Sequence, residues 1–266
     1  MAALDASSQS PAGPGRADGS SVLAYTRTRR LTALVGLGSF ALIVVAAFVA
    51  PPLWNAPGEK ASATHVAAYL QANHGRTIAS LFIFSLAMGL FLCFGAGLWS
   101  WLRQFEPAPQ PLSAIFAFGV VALIVLILAA FASAAVMSYR PQQPTLAVTL
   151  SDLTFGLLAL SGIPTAVCLA AYAALVLRYR FLPGWTGWLA ILAVDMHVLI
   201  AASFMAHGSF LSLEGAVIAV VPATFFAWIL ATSLVLLVGS KPITRMSLAE
   251  PPGGERAAQL SPAEAR

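Results

Sequence analysis

The chain has 266 residues, of which 59% are hydrophobic and only 9% are charged. A soluble globular domain carries about a quarter charged residues, so this chain could not cover its own surface in water. The composition therefore excludes an ordinary soluble protein and predicts that lipid is the solvent for much of the chain. The net charge of +4 does not indicate a nucleic-acid partner, because no basic cluster is interleaved with aromatic residues.

Polar segments rich in Ala, Ser, Gly and Pro stand at both ends of the chain, over residues 1–30 and 240–266. Such segments cannot bury a core. We predict two disordered cytoplasmic tails around a transmembrane domain of residues 31–239.

Six long apolar stretches lie between the tails. A helix needs about 20 residues to cross the hydrocarbon of a bilayer, and a barrel strand would instead show about ten residues of alternating character. The continuous stretches therefore predict an all-α polytopic membrane protein, with six transmembrane helices in one bundle. The predicted spans are 31–53, 78–102, 113–139, 150–177, 185–206 and 216–238.

The basic residues predict the orientation of this bundle. Six spans place both termini on one side, and that side then holds eleven of the 14 Lys and Arg residues. Lys60, Arg76 and Arg140 are the three on the other side. Because cytoplasmic loops carry the excess of positive charge, we expect both termini in the cytoplasm and the protein in the cell (plasma) membrane.

The longest predicted loop, residues 54–77, is then external. Within it, residues 62–73 space their apolar side chains like one face of a short helix. We expect Ser62 to cap this helix, Gly75 to stop it, and the helix to lie on the outer membrane surface.

Asp195 is the main candidate for a polar site, because it occupies the middle of the fifth span. A carboxyl group at the bilayer centre costs about 2.5–3.5 kcal/mol, and no Lys or Arg lies in any predicted span to pair with it. Ser161 and Thr165 lie at a similar depth in the fourth span and share a helix face. We therefore expect a protonated Asp195 to donate to this segment, where Pro164 frees the carbonyl of Leu160.

Four histidines complete the set of candidate residues. His197 is two residues from Asp195, a rotation of about 200° on a helix, so we expect the two side chains to face opposite ways. His65, His74 and His207 are predicted at the outer rim, with Glu59, Asp152 and Glu214 on the same side. Their spacing matches no metal motif, so no metal site and no cofactor are predicted.

Small residues and prolines predict how the helices pack. Pro164 and Pro222 should kink their helices. Close helix approach is expected at two sets of small residues, namely Gly89, Gly95 and Gly97, and Ala129, Ala130, Ser133 and Ala134.

Three sequence segments resemble a known group of proteins. Residues 178–189 read RYRFLPGWTGWL, residues 98–107 read LWSWLRQFEP and residues 65–76 read HVAAYLQANHGR. They resemble uncharacterised multi-spanning bacterial membrane proteins, particularly from actinobacteria, with the pattern R-x-x-x-LP-x-W-x-GWL. The resemblance covers roughly residues 60–240 and implies a polytopic topology, but no catalytic or binding residue.

Three functions are compatible with the sequence. The first is a non-enzymatic integral membrane protein that contacts the lipid bilayer and a membrane-protein partner or a second copy of itself. The second is a small permease or proton-coupled transporter that uses Asp195. The third is a membrane redox or metal protein that uses the outer histidines.

Overall fold

The computed structural model describes residues 19–50, 57, 61–140, 143–203 and 217–239, and every regular element among them is helical. The helices are α1 (Gly19–Val49), α2 (Ala63–Leu102), α3 (Leu112–Tyr139), α4 (Pro144–Leu160), α5 (Gly162–Tyr179), α6 (Gly184–Ala202) and α7 (Val217–Val238). Helices α4 and α5 form one interrupted span, so the described residues contain six spans long and apolar enough to cross a membrane. The predicted class, a six-span helical membrane protein, is confirmed.

The spans form a closed ring in chain order, because each packs on the next and α7 returns to α1. Two small residues allow α1 to enter this ring. Gly97 of α2 lies against Thr32, and Gly36 lies against Phe94 and Ser233, with no room for a Cβ at either glycine. The hydroxyl of Ser39 also donates to the carbonyl of Ala87 over 2.9 Å, which fixes α1 against α2 within the bilayer.

The two ends of the bundle differ in charge, and we name them by it. The basic end carries six arginines, which lie in the first half of α1, directly after α2, and in or directly after the last turn of α5, namely Arg27, Arg29, Arg30, Arg103, Arg178 and Arg180. The other end carries His65 and His74, and we call it the histidine end. Gly239, which follows α7, lies against Arg29 of α1, so both ends of the described chain are at the basic end.

Aromatic side chains fill the basic half of the bundle. Tyr172 is fully buried and donates to Thr186 over 3.2 Å, while its oxygen lies 3.3 Å from the hydroxyl of Thr232. The indole of Trp228 packs edge-on against Tyr172 at 5.0 Å. This network links α5, α6 and α7, so the basic half is held by polar and aromatic contacts together.

Two of the three segments that carry the sequence resemblance meet at the basic end, while residues 65–76 lie in α2 at the histidine end. Trp101 and Phe105 pack on Phe181, with ring centroids 5.0 and 4.7 Å apart. Glu106 accepts hydrogen bonds from the first amides of α3, Leu112 N at 2.6 Å and Ser113 N at 3.0 Å. Residues 98–107 and 178–189 therefore have a shared structural role, which is to join the α2–α3 turn to the α5–α6 turn.

Helix α2 differs from the prediction for the external loop. Ser62 caps the helix as expected, because its hydroxyl accepts from the amide of His65 over 3.3 Å. The predicted stop at Gly75 and the separate surface helix are wrong, since α2 continues without a break to Leu102. A glycine in a helix costs only about 1 kcal/mol, and packing of Val66 and Leu70 on α3 and α4 offsets this.

The polar tails are only partly within the described residues. The predicted tail of residues 1–30 is helical from Gly19, so α1 begins earlier than expected. Residues 1–18 and 240–266 lie outside the described residues, as do the ends predicted for the first and fifth spans.

The fourth span is interrupted at Ser161, three residues before Pro164. Pro164 has no amide hydrogen and cannot donate to the carbonyl of Leu160, so the regular helix is broken there, as predicted. Pro222 lies inside α7, which is continuous from Val217 to Val238. The expected close approaches are formed at Gly95, which lies on Val120, and at Ser133, which donates to the carbonyl of Leu150 over 3.0 Å. The expectation for Gly89 is wrong, since nothing lies within 4 Å of a Cβ added there.

A matched pair of glycine substitutions tests this packing. We expect Gly119→Ala to reduce stability by about 1–3 kcal/mol, because an added Cβ would lie 2.7 Å from Cβ of Cys168 and 3.1 Å from the carbonyl oxygen of Pro164. Gly89→Ala is the control, since nothing lies within 4 Å of its added Cβ. Thermal unfolding in detergent, followed by tryptophan fluorescence, measures both variants. Equal shifts would contradict a close contact between α3 and α5.

Candidate functional site

A cavity of about 150 Å³ lies inside the histidine half of the bundle. It is enclosed by α2, α3, α4, α6 and α7, with one residue of α5. On α3 the lining extends from Leu123 to Met137, about 21 Å of helix at 1.5 Å per residue. The cavity is therefore long and narrow, and it is roughly parallel to the spans that enclose it.

The walls of the cavity are apolar along most of its length. Phe84, Phe131 and Phe155 line it from three different helices. Tyr69 and Pro57 line its outermost part, at the histidine end. An apolar channel that begins at the end of the bundle suits a molecule that partitions into membranes.

Aromatic packing closes the deep end. Phe225 lines the cavity, and its ring stacks on Trp228 at 5.8 Å and meets Phe91 edge-on at 5.2 Å. Phe91 and Trp228 are fully buried in the core of the basic half. The cavity thus ends on the filled half of the bundle and does not continue through it.

Three of the four predicted site residues line this cavity. They are Ser161, at the break between α4 and α5, Thr165 on α5, and His197 on α6. Gly162 brings α5 against α6, because a Cβ there would overlap the carbonyl oxygen of His197. The helix break and this glycine therefore put the two hydroxyls and the imidazole in one region.

The hydrogen bonds of these residues are mostly internal to their helices. Ser161 donates to the carbonyl of Leu158 over 2.6 Å, and Thr165 donates to the carbonyl of Ser161 over 2.7 Å. His197 makes a 2.7 Å bond from Nδ1 to the carbonyl of Ala193, and its ring meets Phe225 edge-on at 5.7 Å. His197 is only 6% exposed, so its second nitrogen can meet little besides the cavity.

Asp195 is not part of this group. His197 is buried and Asp195 is exposed, so the expectation that they face opposite ways agrees with the structure. Asp195 lies among Leu192 and Val198, which are 47% and 50% exposed, on the outer face of α6. The expected bond between Asp195 and the 161–165 segment is absent, because the rotation of α6 turns His197, and not Asp195, toward α5.

The two outer histidines that the structure describes, His65 and His74, take no part in a metal-binding group. His74 bonds through Nδ1 to the carbonyl of Ser138 over 2.9 Å and packs edge-on against Tyr139, so it fixes α2 to the end of α3. His65 and Asp152 are exposed. Among the described residues no three His, Cys, Asp or Glu side chains are grouped to hold a metal ion. His207, Glu59 and Glu214 lie outside the described residues.

Sequence reasoning missed the cavity and the importance of His197 within it. The signal that could have identified His197 is its helical phase, since His197 shares a face of α6 with Ala190, Ala193 and Ile200, all buried. Small and branched residues at this spacing indicate the packed face of a membrane helix.

Comparison with known proteins does not assign a function. No protein family, no curated protein and no solved structure matches the chain. The resemblance to multi-spanning bacterial membrane proteins therefore stays a prediction, and the cavity is the basis for inferring a function.

The position of Asp195 can be tested with carbodiimides, which react with carboxyl groups. In protein reconstituted at a high lipid-to-protein ratio, we expect an apolar carbodiimide to modify Asp195, because the carboxyl is accessible from the hydrocarbon. Glu106 is the internal control and should react with a water-soluble carbodiimide, since it caps α3 at the basic end of the bundle. Peptide mass spectrometry measures both adducts. Asp195 unmodified by the apolar reagent in this sample would contradict an outward carboxyl.

Proposed function

We propose that this integral membrane protein is non-enzymatic and binds an apolar, membrane-soluble molecule in the cavity of its histidine half. The single observation that carries the proposal is the long, largely apolar cavity with Ser161, Thr165 and His197 grouped near its deep end. A cavity of about 150 Å³ has the volume that binds benzene, so this one holds roughly six to eight carbon atoms. The shape favours a chain or a slim ring over a bulky ligand.

Hydrogen-bond directions support binding over catalysis. A serine or threonine nucleophile is activated when its proton is taken by a neighbouring base. Ser161 and Thr165 instead donate to carbonyl oxygens, and His197 Nδ1 donates to its own helix. The three groups hold the cavity in shape and do not form a nucleophile–base pair.

The transporter alternative loses support from the position of Asp195. A proton-coupling carboxyl has to face the path of the substrate. Asp195 is exposed on α6, while the cavity lies on the opposite face of that helix at His197. Binding therefore fits the geometry better than proton-coupled transport through Asp195.

We also propose the plasma membrane as the location and the cytoplasm as the side of the basic end. The arginines of that end support this orientation, because positive residues stay on the cytoplasmic side. Both termini are then cytoplasmic, and the cavity begins at the outer face of the membrane.

A photoreactive octyl diazirine without a polar group tests ligand binding. We expect it to label cavity residues such as Phe155 and Leu158, and Ile127→Trp to reduce this labelling about tenfold, because the indole would occupy the cavity. Val125→Trp is the matched control, since Val125 is on the same helix and 60% exposed on its outer face. Mass spectrometry locates the labels. Labelling confined to outer faces, or unchanged in Ile127→Trp, would overturn the proposal.

Association with a second copy is a second candidate role, and Asp195 favours it. A carboxyl in hydrocarbon gains from a hydrogen-bonding partner, and no basic residue of the described spans is near it. Two neutral carboxyl groups are complementary to each other, since each can donate and accept one hydrogen bond. A two-fold axis beside Asp195 would pair them, with Trp188 and Leu192 at the helix contact.

Dilution in lipid tests this association. We expect modification of Asp195 by an apolar carbodiimide to fall as the lipid-to-protein ratio is lowered, because a second copy would then cover the carboxyl. Crosslinking through a cysteine introduced at Leu192 should rise over the same range, and a cysteine at Val125, on α3, serves as control. Modification that is independent of the ratio would remove the candidate.

A further inference from the structure

The deep end of the cavity offers hydrogen-bond acceptors and no free donors among the described residues. Ser161 and Thr165 each have one hydroxyl hydrogen, and both hydrogens are used in bonds to helix carbonyls at 2.6 and 2.7 Å. The oxygen of each hydroxyl keeps lone pairs that can accept. These two side chains therefore present acceptors to anything in the cavity.

The tautomer of His197 follows from its partner. A carbonyl oxygen can only accept, so the Nδ1 that lies 2.7 Å from the carbonyl of Ala193 carries the hydrogen. No acidic side chain of the described residues lines the cavity, and a charged imidazole in apolar surroundings would be costly, so the ring is neutral. Nε2 then has a lone pair and makes no hydrogen bond with any described residue.

Nε2 of His197, as a buried acceptor without a donor, raises the free energy of the protein without a ligand. His197 is 6% exposed, Ser161 is 7% exposed and Thr165 is 1% exposed, so water around them is limited to what the cavity holds. A buried acceptor without a donor carries the cost of its lost hydration. A ligand that brings a donor to this point removes that cost, while a ligand that brings another acceptor adds to it.

We infer that the ligand of the cavity is a neutral molecule with an alcohol-type hydroxyl at one end, which donates to Nε2 of His197, and an apolar body along the channel. This inference rests on the proposed function and adds the chemical class of the ligand. An ammonium group is also a donor, but within the part of the chain that the structure describes no carboxylate lines the cavity to pair with its charge. A carboxylate, ketone or ether brings only acceptors, so these classes are disfavoured at the same position.

The neighbouring hydroxyls can accept from a water in the cavity. A ligand alcohol has one hydrogen, which its bond to Nε2 uses, whereas a water that donates to Nε2 has a second hydrogen for Thr165 or Ser161. The edge-on contact of Phe225 with the imidazole, at 5.7 Å, limits the rotation of the ring. The site is therefore formed before the ligand enters, which reduces the entropy lost on binding.

The test compares two probes that differ only at the polar end, an octyl diazirine alcohol and its methyl ether. In the wild-type protein in nanodiscs we expect the alcohol to label cavity residues about tenfold more efficiently than the ether at equal concentration. His197→Phe should remove this preference and leave labelling by the ether unchanged, because phenylalanine retains the ring and lacks Nε2.

A control variant separates a specific effect from a general loss of polarity. Thr154→Val changes a cavity threonine whose hydroxyl is bonded to the carbonyl of Leu150 over 2.7 Å, nearer the histidine end than His197. We expect it to keep the preference for the alcohol. The thermal stability of both variants, Thr154→Val and His197→Phe, is measured in the same nanodiscs. This checks that each variant is folded before labelling is compared.

The outcomes are distinguishable from those that test the proposed function. Equal labelling of the cavity by alcohol, ether and the simple alkyl probe would overturn the inference and keep the apolar site. Preference for an octyl ketone or carboxylate would overturn it as well, because the site would then have to supply a donor. A preference for the alcohol that persists in His197→Phe would assign it to other residues and contradict the role of Nε2.

Discussion

Pro164 leaves one carbonyl in the middle of the fourth span without its helical partner, and the arrangement of the site depends on this. In hydrocarbon every backbone polar group needs a partner within the protein, so such a break is tolerated only where nearby groups compensate. Around the break the hydroxyls of Ser161 and Thr165 donate to the carbonyls of Leu158 and Ser161, and Gly162 lets α6 pack closely against this segment. These two bonds use the hydroxyl hydrogens, so both side chains present only acceptors to the cavity.

The two halves of the bundle differ in packing, and the cavity proposed to bind a ligand lies in the histidine half. The basic half contains stacked and edge-on rings and the buried hydroxyl network of Tyr172, and it provides a fixed floor at Phe225. The histidine half has fewer contacts across its centre, because the cavity replaces them. Regions with low contact density open at lower free energy than the core does. A ligand that fills the cavity therefore stabilises the half that is weakest without it.

The sequence was sufficient to predict the class of fold, because length and composition decide whether a segment crosses a bilayer. Six spans, the N-cap at Ser62 and the break before Pro164 all follow from such local properties. It was not sufficient to predict which side of a span faces inward, since both faces of a membrane helix are apolar. Only tertiary packing decides that His197 meets the cavity and that Asp195 meets the outer surface. The continuation of α2 through Gly75 depends likewise on contacts of Val66 and Leu70 with distant residues.

The length of α2 gives the bundle an asymmetric profile. Its 40 residues correspond to about 60 Å of helix, twice the thickness of the hydrocarbon layer of about 30 Å. Helix α2 is thus long enough for its histidine-end turns to stand above the lipid headgroups. The ends of α3 and α4 pack against these turns. Val66, Tyr69 and Leu70 line the cavity in this raised part. A poorly soluble molecule passing between the aqueous phase and the bilayer interior could do so along a protein wall, which would shield it from the layer of charged headgroups.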